Sequence, residues 1–367
     1  EKTASLTLNR ATDTTRQPGS TFKIVSTYAP ALNECGMTLA TTYTDKPITY
    51  KDGTPVKNAT NSYRGETTIR EAIIHSINTV AVQCFTDVTP QLGYEYLKKF
   101  GFTTVYDNIS INGKIYTDIQ QPTALGGITR GVSNLELTGA YAAIANSGTY
   151  IKPMFYTKIL DEDGNVVIDN TPEERKVIKP STAYLLTSAM EDVVSEGTGT
   201  RLQLSNMHVA GKTGTTDTYN DVWFAGFTPY YTCTIWSGYD DNTKIPDTGN
   251  YRIYHQDLWN RIMSRIHENL EDKDFDKPAT VGEATVCKDT GMLPTYNCPT
   301  VTELFDTTEL PNKRCTKHGG GGSSRSYNSY SSRNSYSYSD NEDDDEEDDT
   351  DSSSSDDEED NTDTEEE

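Results

Sequence analysis

Three short segments of the 367-residue chain carry side chains suited to acyl-group chemistry. In the first, RQPGSTFK, Ser20 and Lys23 stand three apart behind a Pro18-Gly19 turn. Residues at that spacing share a helix face. A helix starting here aims the unsatisfied Ser20 N–H outward, at the positive end of the helix dipole. A buried Lys23 ammonium would be desolvated and its pKa lowered, leaving a neutral amine to take the serine proton. Taken alone, the pair is equally an ordinary helix start, because serine and lysine are both common. The second segment is Ser76-Ile77-Asn78. Its hydroxyl can relay a proton between the lysine and a leaving amine, and the Asn78 amide can donate to a substrate carbonyl. The third is Lys212-Thr213-Gly214-Thr215. Gly211 and Gly214 leave room for an extended peptide along the strand edge. Thr213 and Thr215 can bond a terminal carboxylate beside the Lys212 charge, and the Thr215 and Ser20 N–H groups can form an oxyanion hole.

Each segment needs a particular setting. From Ser20 to Leu32, Phe22, Ile24, Val25, Tyr28, Ala29 and Leu32 make a broad apolar face, which predicts a buried helix. Thr68 with Glu71 forms a capping box that starts a second helix, and helical spacing resumes at Asn78, so Ser76–Asn78 falls in a turn between helices. Further helices are expected in TPQLGYEYLKKFG, NLELTGAYAAIANSG and STAYLLTSAMEDVVSEG. HVAGKTGTT, DVWFAGFTP and YTCTIWSGYD then read as consecutive antiparallel strands, followed by a helix in HQDLWNRIMSRIHENL. Helices followed by an antiparallel sheet predict an α+β fold, or a mixed three-layer one.

Ser-x-x-Lys, Ser-x-Asn and Lys-Thr-Gly, in that order, form the signature of penicillin-binding proteins and related β-lactamases. At these residues, and in NRATDTTRQPGSTFK, QPTALGGITRGVSNLELTGAYAAIANSGTYIKP and DVWFAGFTPYYT, the chain resembles the transpeptidase domain of class A (bifunctional) penicillin-binding proteins. The likeness covers roughly residues 7–265, and a Cys-containing extension like 281–316 also occurs in some members. The resemblance implies the serine β-lactamase/penicillin-binding transpeptidase-like fold, a helical subdomain packed on an antiparallel sheet with the serine at the cleft between them. It implies cross-linking of peptidoglycan stem peptides with D-Ala-D-Ala ends, and acylation by β-lactam antibiotics. The roles it implies are Ser20 as nucleophile, Lys23 as general base, and Ser76, Asn78 and Lys212 in proton transfer. Thr213, Gly214 and Thr215 bind the substrate carboxylate and the oxyanion.

The resemblance also sets expectations for organisation. Residues 1–270 are expected to form the transpeptidase domain without its first strands, leaving an exposed sheet edge; 271–316 form a small extension and 317–367 a disordered tail. A membrane helix and a glycosyltransferase domain are expected in the full-length protein, at the extracytoplasmic face of a bacterial membrane, and neither is in this sequence. Rival readings are a D,D-carboxypeptidase, a serine β-lactamase and a non-hydrolytic β-lactam sensor. A β-lactamase needs a glutamate for deacylation, and Glu191 and Glu196 lack the accompanying asparagine.

Charge and cysteines complete the expectations. The net charge is −24, but the stretch from Asp340 to the end holds 19 acidic residues and no basic ones, leaving 37 acids against 32 bases before it. That balance gives no argument for nucleic acid as a partner. The tail after His318 has no aliphatic side chains and reads as disordered. Cys35, Cys84 and Cys233 read as buried thiols. Cys287 and Cys298 are paired here as a disulfide closing a small hairpin, the alternative being a zinc site with Cys315 and His318. No cofactor and no metal are assigned.

Overall fold

Gly19 takes a left-handed backbone (φ +55°), which turns the chain into the segment that holds Ser20. The computed structural model describes residues 7–319; the expected tail lies, from residue 320 on, outside the described residues. Residues Gly19–Thr21 form a single 3-10 turn, Lys23–Tyr28 a π-helical stretch, and Ala29–Asn33 (α1) an α-helix. One helix is expected over Ser20–Leu32; its path is kept, but it is wound in three ways. Pro30 has no N–H to close an α-helical bond onto the preceding turn. The ladder widens accordingly, and the Ala29 N–H donates to Ile24 O, five residues back. Every residue from Thr21 to Leu32 is buried, so tertiary packing holds this irregular winding in place.

A two-stranded ladder follows, β1 (Thr42–Asp45) antiparallel to β2 (Gly65–Thr68) with Asp45 opposite Gly65. Thr68 caps α2 (Ile69–Ile74) by accepting from the Glu71 N–H, half of the expected capping box. After Ser76-Ile77 come α3 (Asn78–Val88) and α4 (Pro90–Lys99). The complete box belongs to α5 (Asn134–Ala145), where Ser133 and Glu136 cap each other. The long α6 (Pro180–Ser195) buries ten of its residues against this helical core.

The sheet is three antiparallel strands in sequence order, β3 (Ala210–Thr215), β4 (Asp221–Phe227) and β5 (Thr232–Gly238). All seven residues of β4 are buried, because both faces of the sheet are covered. Alternation along β4 sends Trp223, Ala225 and Phe227 into the helical core. Phe224 goes to the other face, where it meets Trp259 of α7 (Tyr254–Ile266) edge-on at 5.0 Å. The result is an α+β fold with helices on both faces of an antiparallel sheet. Among the described residues β3 and β5 each keep one unpaired edge.

Beyond α7, β6 (Val281–Cys287) and β7 (Thr300–Asp306) form a hairpin seated on the helical domain. Arg70 of α2 forks onto Glu303 through two hydrogen bonds of 2.7 Å and also pairs with Asp192 of α6. The Ser181 hydroxyl donates to Asp306. The Cys287–Cys298 disulfide expected from the sequence does not form: every cysteine is a free thiol. The chain instead brings Cys287, Cys298, Cys315 and His318 to one point, so neither thiol is presented to the other alone.

Candidate active site

Backbone contacts that only glycine permits place Ser20. A Cβ on Gly19 would stand 2.7 Å from Thr215 O and 3.0 Å from Thr215 N, so the serine turn lies against the end of β3. A Cβ on Gly214 would stand 2.6 Å from Pro18 O. The segment before the serine is pinned from three directions. The Gln17 amide donates to Ile128 O (2.6 Å) and accepts from the Ile128 N–H (3.1 Å), and the Trp223 indole donates to Gln17 O (2.9 Å). Arg16 stacks over Trp236, 4.9 Å from the ring centre. Tyr141 of α5 donates to Thr21 O at 2.8 Å.

Gly126 closes the cradle, and the sequence reading gave it no role. Its φ is +80°, and a Cβ there would stand 2.5 Å from Gly19 O and 2.6 Å from Gly19 N. The Gly126→Ala variant is expected to lose about 2 kcal/mol of stability and most of its acylation rate, since its methyl displaces the turn that carries Ser20. Thermal melting beside a penicillin-labelling time course checks this; an unchanged labelling rate would remove Gly126 from the site.

Two lysines, both without solvent exposure, meet across one serine. Lys23 Nζ donates to Ser76 O (2.7 Å) and to Asn78 Oδ1 (2.6 Å), and lies 3.2 Å from Ser76 Oγ. Lys212 Nζ donates to the same Ser76 Oγ (2.9 Å) and to Thr213 O (3.1 Å). Thr213 Oγ1 is 2.7 Å from Thr198 Oγ1, a residue after α6 that the sequence reading did not single out. Ser76, Asn78, Lys23, Lys212 and Thr213 thus form one hydrogen-bonded group. Ser20 and Thr215 join it through backbone packing; among the described residues the Ser20 hydroxyl makes no hydrogen bond, and the Lys23 amine is turned to Ser76 and Asn78.

Ser76 sits at φ +55°, a left-handed backbone that costs a non-glycine residue about 1 kcal/mol. A buried network holds the strained turn. Asn58 Oδ1 accepts from the N–H of Asn78 (3.0 Å) and of Thr79 (3.2 Å), while its amide donates to Asp45 Oδ1 at 2.8 Å. Asp45 also accepts from the Thr79 hydroxyl and, at 2.8 Å, from the Arg64 N–H. The Asn78 amide donates to Lys57 O at 2.6 Å.

Electrostatics follows from this burial. Desolvation, with the Lys212 charge in second place, holds the Lys23 ammonium well below the ordinary lysine value; Asp217 pulls weakly the other way. Burial alone brings Lys212 down to about 7. A neutral amine has two N–H bonds and one lone pair. Ser76 O and Asn78 Oδ1 take both N–H bonds of a neutral Lys23, which leaves its lone pair for a hydroxyl. A protonated Lys212 uses two donors on Ser76 Oγ and Thr213 O and keeps a third for an anionic ligand. The arrangement can accept a proton at one end and supply one at the other, through Ser76.

Residues 2–250 match the family described as penicillin binding protein transpeptidase domain, and 277–320 match penicillin-binding protein 1A, C-terminal domain. Penicillin-binding protein 1A of Clostridium tetani is 35% identical over 335 residues, covering 87% of this chain and 42% of that protein. Penicillin-binding protein 1F of Bacillus subtilis is 37% identical over 283 residues, 75% of this chain and 37% of its own length. This chain therefore spans about two fifths of the curated relatives it matches. In fold it resembles the crystal structure of penicillin-binding protein 1A from Haemophilus influenzae, with a TM-score of 0.72 at 24% identity over 84% of this chain and 50% of that one. It also resembles the Mycobacterium tuberculosis PonA1 protein in complex with penicillin V, with a TM-score of 0.65 at 24% identity and 75% of either chain.

Proposed function

The chain belongs to the penicillin-binding protein transpeptidase family, and from that premise we propose that it is a serine D,D-transpeptidase that cross-links peptidoglycan stem peptides and is acylated by β-lactams. The observation that carries this reading is the pair of buried lysines joined through Ser76 Oγ beside the Ser20 turn. Ser20 Oγ attacks the penultimate D-Ala carbonyl of a donor stem peptide, and its proton passes to the Lys23 lone pair. The Ser20 and Thr215 N–H groups hold the oxyanion. Ser76 Oγ hands its proton to the departing D-Ala amine and is reprotonated by Lys23, which becomes a neutral amine again while Lys212 keeps its charge. An amine of a second stem peptide then resolves the ester, and Lys23 takes the proton that it sheds. Lys212, with Thr213 and Thr215, holds the terminal carboxylate, which an extended peptide brings alongside the unpaired edge of β3.

The β-lactamase reading finds less support. Glu191 is 3.0 Å from His208, and Glu196 is exposed, so neither carboxylate joins the lysine–serine group. The proposed place of work is the extracytoplasmic face of a bacterial membrane, held there by an anchor and joined to a glycosyltransferase domain in the full-length protein. Among the described residues no helix is long and apolar enough to cross a membrane.

Intact mass spectrometry after incubation with penicillin tests the proposal. One stable adduct is expected, and tryptic mapping should place it in the peptide Gln17–Lys23. Rapid release of hydrolysed drug favours a β-lactamase, and an adduct on any other peptide overturns the assignment.

The acylation rate should trace a bell in pH. Lys23 acts as the neutral amine, so the rate rises with pH as Lys23 loses its proton, well below the ordinary lysine value. Lys212 acts while protonated, so the rate falls as pH passes about 7. In Lys212→Arg the group stays charged, and the alkaline limb should move out of range. Stopped-flow labelling across pH checks this; a limb that stays in place in the arginine variant excludes Lys212 as its source.

A further inference from the structure

Three thiols and one imidazole meet in the C-terminal hairpin region, outside the catalytic group. Cys287 ends β6, Cys298 lies in the loop before β7, and Cys315 and His318 follow β7; their four donor atoms all lie within 4.8 Å of one another. His318 Nδ1 is 3.4 Å from both Cys287 Sγ and Cys315 Sγ. Donors of a tetrahedral zinc, at about 2.3 Å for sulfur and about 2.05 Å for nitrogen, stand roughly 3.5–3.8 Å apart. The two imidazole–sulfur distances are close to that. A disulfide would use two of the three thiols and leave the third thiol and the imidazole without a purpose.

The surroundings point the same way. The far nitrogen of the imidazole, Nε2, lies 3.2 Å from Asp289 Oδ2. A carboxylate there holds the proton on Nε2 and turns the Nδ1 lone pair toward the sulfurs, the usual outer arrangement of a metal-bound histidine. The Thr295 N–H and hydroxyl both lie 3.2 Å from Cys298 Sγ, placed to donate to a thiolate. The hairpin's own apolar cluster is small, Val286 and Phe305 with Ala284 against Ala40, so a staple there would add to the ladder and to the docking contacts of Val281, Leu304 and Glu303.

We propose that Cys287, Cys298, Cys315 and His318 bind one zinc ion as a closed structural site, oriented by Asp289. Binding releases the three thiol protons to solvent and changes no oxidation state. All four positions are filled by protein, so the ion does no catalysis. It ties the start of the extension to its end and fixes the turn whose Gly291 packs against Ala40 of the helical domain.

The test uses the full 367-residue chain, purified in reducing buffer without chelator and dialysed after addition of zinc. Metal analysis should find one zinc per chain, and replacement by cobalt should give the visible bands of a tetrahedral ion with thiolate-to-cobalt charge transfer. Cys298→Ser and His318→Ala should each lose most of the bound metal, while Cys233→Ser keeps it. Should the ligand variants fail to fold, the cobalt spectrum of the unmodified chain still decides. Folded chain without bound metal overturns the proposal, as does a Cys287–Cys298 disulfide recovered by peptide mapping from chain purified without reductant, or a cobalt spectrum without thiolate bands.

Discussion

Lys23→Ala should slow acylation by penicillin about 10³-fold, within the range a positioned general base supplies, and Ser20→Ala should abolish the adduct altogether. The expectation rests on a count of donors and acceptors. Lys23 has no solvent exposure, and its close partners are two carbonyl oxygens and one hydroxyl, with no carboxylate to hold a charge. Such a site favours the neutral amine, whose two N–H bonds point at the carbonyls and whose lone pair remains. Alanine removes the lone pair and leaves Ser76 O and Asn78 Oδ1 without their donor. Lys23→Arg separates charge from basicity, since a guanidinium keeps its proton at any working pH. It should be as slow as Lys23→Ala. Labelling with a fluorescent penicillin gives the rates, and circular dichroism confirms that each variant is folded. An arginine variant that labels at the unmodified rate would end the general-base assignment, and an adduct surviving in Ser20→Ala would end the nucleophile's.

The three chemistry-bearing segments were legible because each combines residue type with a local backbone signal. A Pro-Gly turn precedes Ser20, a break in helical period surrounds Ser76, and a glycine strand carries Lys212. The sheet was legible too, since short runs of aromatic and β-branched residues between turn residues have few other uses. What stayed hidden is what depends on contacts between distant segments. Asp45 and Asn58 fall in a Thr- and Lys-rich stretch without period, and only the fold shows that both are buried under the Ser76 turn. Gly126 is one glycine among 26; its role appears only when the Gly19 backbone lies against it. The π-helical winding after Ser20 keeps the apolar face of an α-helix, so periodicity cannot reveal it; Pro30 was the available signal. The hairpin joining Ile109–Ile111 to Lys114–Tyr116 carried an Asn112-Gly113 turn that could have been read directly. The Cys287–Cys298 pairing failed because the alternative with Cys315 and His318 has an irregular spacing in the sequence, and only the fold shows that the hairpin brings all four to one point.

Asp45→Ala, far from any reacting atom, should be the most destabilising single change beneath the site, at about 3 kcal/mol. Asp45 is 2% exposed and accepts from three donors, the Asn58 amide, the Thr79 hydroxyl and the Arg64 N–H. Alanine leaves the buried Asn58 amide and Thr79 hydroxyl without this acceptor and strips it from the part-buried Arg64 N–H, and each unsatisfied buried donor costs about 1 kcal/mol or more. In a domain of this size, that corresponds to a fall in melting temperature of roughly 6–10 °C. The change also reaches the chemistry. Asn58, freed of its carboxylate, no longer holds the N–H groups of Asn78 and Thr79, and Ser76 can relax from its left-handed backbone toward an ordinary one. Its hydroxyl then leaves the space between Lys23 and Lys212, so labelling should slow even at temperatures where the variant is fully folded. Asp45→Asn separates the two effects. It keeps one acceptor oxygen for Asn58 and Thr79 but sets an amide against the Arg64 N–H, so it should recover part of the stability and most of the labelling rate. Calorimetry and labelling measured on both variants decide the matter. Full stability in Asp45→Ala would show that the network is not what holds the Ser76 turn.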